Sequence, residues 1–111
     1  MTQTPDETVL EMSIEELYAQ IGETLIPGAG VLPDKAQRAA RAGRAWLDMR
    51  SSELRSLVCP RVEVLIDEAH DDDATLAAAV ADLIASATGQ IPAFTAAVLM
   101  VRIGLRGFCQ S

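Results

Sequence analysis

The sequence predicts an all-α fold, a compact bundle of four to five helices, and three observations point there. Apolar residues recur at spacings of three and four over most of the 111 residues. Proline and glycine fall between these stretches rather than inside them. Half of the residues are hydrophobic but few are aromatic, and alanine is abundant, a composition suited to closely packed helices. The length fits one domain, which on area scaling buries roughly 65% of its unfolded surface without staples.

Residues 1–11 read as a flexible lead-in, and residues 12–111 as the single helical domain. Ser13 followed by Glu16 has the form of a capping box. Ile14, Leu17, Tyr18, Ile21 and Leu25 then make one apolar stripe, ended by Pro27, Gly28 and Gly30. Leu32-Pro33-Asp34 introduces the next helix with Asp34 as its N-cap. Ala36, Ala39, Ala40, Gly43, Trp46, Leu47 and Arg50 share a broad side of it, with Trp46 as the large anchor. Ser51-Ser52 is read as the start of a separate short helix carrying Leu54, Leu57 and Val58, interrupted by Pro60.

Residues 61–69 satisfy two patterns. Val62, Leu65, Ile66 and Ala69 have helical spacing, while Val62, Val64 and Ile66 alternate as in a strand. On either reading Val64, Leu65 and Ile66 are expected in the core, with Asp67, Glu68 and His70 at the wet end. Asp71-Asp72-Asp73 supplies a turn and an N-cap. Ala74 to about Thr88 forms a helix whose stripe is Leu76, Val80, Leu83, Ile84 and Ala87, capped by Gly89. Pro92 suits the first turn of the last long helix, which runs to about Ile103 and is apolar nearly all round. Gly104 and Gly107 punctuate a tail.

The segment VLIDEAH, residues 64–70, resembles the magnesium-binding box of DEAH-type helicases. That chemistry also needs a glycine-rich lysine loop of the form GxxxxGK[ST] to hold phosphates. The lone lysine, Lys35, lies in no such loop. Asp67, His70, Asp71 and Asp73 offer metal-ligating atoms, but zinc sites need more firm ligands and the calcium-loop spacing is absent. Neither a GxSxG elbow nor a CxxC pair is present. No catalytic residue, cofactor site or metal site is therefore assigned, and the chain is not read as an enzyme.

Net charge is −7, unevenly spread: residues 1–30 carry six acids and no base, and residues 31–60 carry six bases and three acids. This acidity argues against nucleic acid as the general partner. The basic helix 35–50 keeps a nucleic-acid-binding regulatory protein as the alternative, with Arg38, Arg41 and Arg44 as its contact surface. The start is polar and acidic, unlike a secretory signal, and the most apolar stretch, residues 91–105, is short for a membrane span. The expectation is a cytoplasmic protein with Cys59 and Cys109 reduced. The last helix holds more apolar surface than a small bundle easily buries. Phe94, Val98, Val101, Leu105 and Phe108 are thus expected to face a protein partner or a homo-oligomer. The functional expectation is a protein-interaction module, an accessory or adaptor subunit of a larger bacterial assembly.

Overall fold

Helices account for nearly all of the structure, a computed structural model that describes residues 9–25 and 35–110. The expected loop at Pro27, Gly28 and Gly30 and the Asp34 cap lie outside the described residues. The helices are α1 (Ile14–Leu25), α2 (Lys35–Val58), α3 (Val62–Ala69), α4 (Asp73–Ile84), α5 (Ala93–Ile103) and α6 (Leu105–Gln110). Tight 3-10 turns at Cys59–Arg61 and Ala85–Ala87 follow α2 and α4. Among the described residues there is no strand, which settles residues 61–69 as helical.

The capping box forms as read. The Ser13 N–H donates to Glu16 Oε1 at 3.2 Å, and the Glu16 N–H donates to Ser13 Oγ at 3.1 Å. Leu17, Tyr18 and Ile21 are buried along α1, whereas Ile14 and Leu25 at its ends stay partly exposed. Residues Val9 to Met12, mostly assigned to the lead-in, are tied to the body. Val9 is buried, and Arg102 Nη1 donates to the carbonyl oxygens of Leu10 and Met12 at 3.2 and 2.9 Å.

α2 departs from the expected break at Ser51-Ser52. It runs unbroken for 24 residues, about 36 Å at 1.5 Å per residue. Serine disfavours helix when its hydroxyl pulls the backbone elsewhere. Here the hydroxyls of Ser51 and Ser56 donate to the carbonyls of Asp48 and Glu53, three residues back, and the helix continues. Pro60 then stops it, sitting in the 3-10 turn.

α1 and α2 pack antiparallel at very close range. A methyl group built on Gly22 would overlap the Ala39 carbonyl, and one built on Gly43 would overlap the Tyr18 carbonyl. Any side chain larger than hydrogen at these positions would drive the two backbones apart. α5 packs against both α4 and α1, and α4 also meets α2 and α3. Six consecutive residues of α5, Thr95 to Met100, are buried, which no helix achieves unless it is covered on all sides.

Asp72 caps α4, its carboxylate accepting from the Thr75 N–H at 3.2 Å and from the Thr75 hydroxyl. Those hydrogen bonds, the hydroxyl's first, hold the Asp72 carboxyl below the usual range. α4 ends at Ile84, earlier than expected, because its last turn tightens into the 3-10 turn. Pro92 is the N-cap of α5 rather than a first-turn residue. The tail after Gly104 is also helical, as α6.

Candidate interaction surface

The five residues expected at a partner interface lie in or against the chain's own core. Val98, Leu105 and Phe108 are buried, and Phe94 and Val101 are half-buried and pack on the core. The physical reason is that α4 and α1 pack along α5 and α6 folds back over its end, which brings Leu105 and Phe108 into the same core.

α6 is held in place by three contacts to the end of α2. Arg55 Nε donates to the Phe108 carbonyl at 3.0 Å. The Arg55 guanidinium lies 5.2 Å from the centre of the Phe108 ring. Cys59 and Cys109, 50 residues apart, are joined in a disulfide with their Cα atoms 5.6 Å apart. The expectation of reduced thiols is thus corrected. Sequence separation gives no hint that the tail helix returns to the end of α2, and that return brings the two cysteines within bonding distance.

The basic band is exposed but divided. Arg44 Nη2 meets Glu15 Oε1 at 3.1 Å, and its guanidinium stands 5.0 Å from the Tyr18 ring centre. Burial raises the Tyr18 pKa, with Arg44 opposing the shift. Arg44 is therefore committed to the acidic first helix. Arg38 and Arg41 lie exposed on other parts of the helix surface.

The VLIDEAH segment forms most of α3 and the turn after it. Leu65 is buried and Ile66 half-buried, but Val64 is 58% exposed, correcting its expected place in the core. A helix of eight residues sends Val64 to the side opposite Leu65's neighbours. The chain leaves α3 through two successive left-handed residues, His70 at φ 51° and Asp71 at φ 65°. Beside them is a depression of about 310 Å3 lined by Glu63, Ile66, Asp67, His70, Asp71 and Arg106. Arg106 binds Glu63 through two nitrogens, at 3.1 and 2.9 Å, and these bonds hold the Glu63 carboxyl low. Among the described residues no group of three or more His, Cys, Asp or Glu side chains could hold a metal ion.

The open apolar surface is elsewhere, on the outer side of α2. Met49 is 82% exposed, the most exposed large apolar side chain among the described residues. It lines a groove of about 520 Å3 with Leu25, Ala42, Ala45, Trp46 and Arg50. Ala39, Ala40, Gly43, Trp46 and Leu47 face inward as expected, while Ala36 and Arg50 are exposed. Ala42, Ala45 and Met49, at spacings of three and four, form a second apolar stripe that the reading of a single buried side passed over. That spacing was the available signal.

Among the described residues no helix is long and apolar enough to cross a membrane. No protein-family model, no curated protein and no solved structure matches the chain.

Proposed function

We propose that this chain is a non-catalytic helical protein-interaction module, of accessory or adaptor type, that docks through the outer side of α2. The observation carrying this reading is the exposed Met49 set in an apolar groove with Ala42, Ala45 and the edge of Trp46. A methionine is a flexible, polarisable anchor suited to a docking surface. The alanines let another helix come close. Arg50 and the other charges beside them give the polar rim that interfaces carry.

The test is photocrosslinking in cells of the native host. A photoreactive phenylalanine analogue replaces Met49 in one strain and Asp82, an exposed residue of α4, in another. The expected result is an intermolecular adduct from position 49 and none from position 82. Equal yields at both positions, or no adduct at 49, would overturn the reading.

A further inference from the structure

We propose that the partner seated on the outer side of α2 is a second copy of this chain, docked antiparallel about a two-fold axis. This rests on the reading of α2 as a docking face and names its occupant. The argument is charge complementarity along the helix.

Each residue advances about 100° around an α-helix, so residues seven apart nearly coincide in direction and residues eighteen apart coincide after five turns. Arg41 and Asp48 therefore lie on one flank of the Ala42–Ala45–Met49 stripe, while Lys35 and Glu53 lie beyond its two ends, Lys35 seven residues before Ala42 and in line with it. All four are exposed. A two-fold axis perpendicular to α2 sets each of these residues opposite the one that shares its direction and lies equally far beyond the axis. For Arg41 and Asp48 the required centre is between Arg44 and Ala45. For Lys35 and Glu53 it is Arg44. Two independent pairs of opposite charge thus demand nearly the same axis, and that axis passes through the alanines.

In this arrangement Arg41 meets the partner's Asp48, Lys35 meets the partner's Glu53, and each contact occurs twice, as an isologous interface requires. Ala42 and Ala45 permit close approach at the centre, and both Met49 side chains are covered. A parallel two-fold pairing turns the Arg41–Asp48 flank of one copy away from that of the other, so these two residues would not meet. The chain's negative net charge opposes general self-association, so the charge pairs act as register marks rather than as the main source of affinity. Glu53 now has an exposed contact to Arg50 at 3.6 Å within its own helix, which the partner's Lys35 would join or replace.

Light scattering over a dilution series at low salt tests this with wild type, Arg41→Asp, Asp48→Arg, the double variant and an equimolar mixture of the two single variants. Circular dichroism on each sample confirms that helicity is retained, which the exposure of both residues favours. Wild type is expected to form a reversible dimer. Each single variant places like charges together at two contacts and raises the dissociation constant about tenfold or more. The double variant restores opposite charges and dimerises again. So does the mixture. There the aspartate introduced at position 41 of one chain meets the arginine introduced at position 48 of the other, and the unchanged Arg41 and Asp48 meet at the second contact. Recovery on mixing cannot arise within one chain, where positions 41 and 48 are two helical turns apart.

Wild type that stays monomeric at every concentration overturns the second copy, as does a mixture no more dimeric than its components. If wild type is monomeric but photocrosslinks from position 49 to a different protein, the docking face stands and the second copy is refuted. If the crosslink runs to residues 26–34 of the same chain, both readings fall.

Discussion

α5 and α2 reverse the roles that their sequences suggest. α5 is apolar on nearly every side, and the chain covers its middle, Thr95 to Met100, with Met100 at 0% exposure. α2 is rich in charge, and the chain covers only the side that meets α1, α4 and α6, leaving Met49 at 82%. An entirely apolar helix has no side that water tolerates, so it takes the centre of whatever bundle forms. A charged helix can carry a second, narrower apolar stripe, because the charges flanking it keep the chain soluble. Exposed apolar surface on a polar helix is therefore the better indicator of docking.

The largest expected effect concerns the covering of α5. Reducing the Cys59–Cys109 disulfide, or replacing both residues by serine, frees a closure spanning 50 residues. Chain entropy sets that loss at about 4 kcal/mol of unfolding free energy, measured by urea titration. A loss below about 1 kcal/mol would show that Arg55 and Phe108 hold α6 unaided. Next comes the direct contrast between the two helices. Leu99→Ala empties a fully buried site and costs about 3 kcal/mol, whereas Met49→Ala stays within about 0.5 kcal/mol. Equal costs would break the comparison.

Smaller effects probe the turn between α3 and α4, which orients α4 against α5. His70 occupies a left-handed conformation at φ 51°, where its Cβ is crowded. His70→Gly is expected to raise the thermal midpoint, by the equivalent of about 1 kcal/mol. The smallest is a pH dependence. The folded pKa of Asp72 is depressed by Thr75, so its contribution is present above the unfolded carboxylate range and is lost as pH falls through the folded value. The stability gap between wild type and Asp72→Ala should therefore close in acid, read from thermal melts across that range.

Much of this fold was legible because it is written in local signals. The Ser13–Glu16 box, the Asp72 cap and the inward side of α2 each depend on residues within a turn or two of one another. The continuation through Ser51-Ser52 was not, since serine permits either outcome and tertiary packing decides. The turn after α3 was legible in Asp71-Asp72-Asp73, but its left-handed pair His70-Asp71 was not, because it holds neither glycine nor asparagine, although aspartate does tolerate the left-handed region. The disulfide and the burial of Leu105 and Phe108 depend on where α6 returns, a long-range fact with no local sign. The outer stripe of α2 had a sign in the three- and four-residue spacing of Ala42, Ala45 and Met49, masked by the stronger inward stripe beside it.

Two methionines of this one chain report on both halves of the comparison. Oxidation by dilute peroxide, followed residue by residue by mass spectrometry, should modify Met49 quickly and Met100 hardly at all in dilute protein. Raising the protein concentration should slow Met49 as the second copy covers it and leave Met100 unchanged. Oxidation of Met100 as fast as Met49, or a Met49 rate indifferent to concentration, would contradict the account.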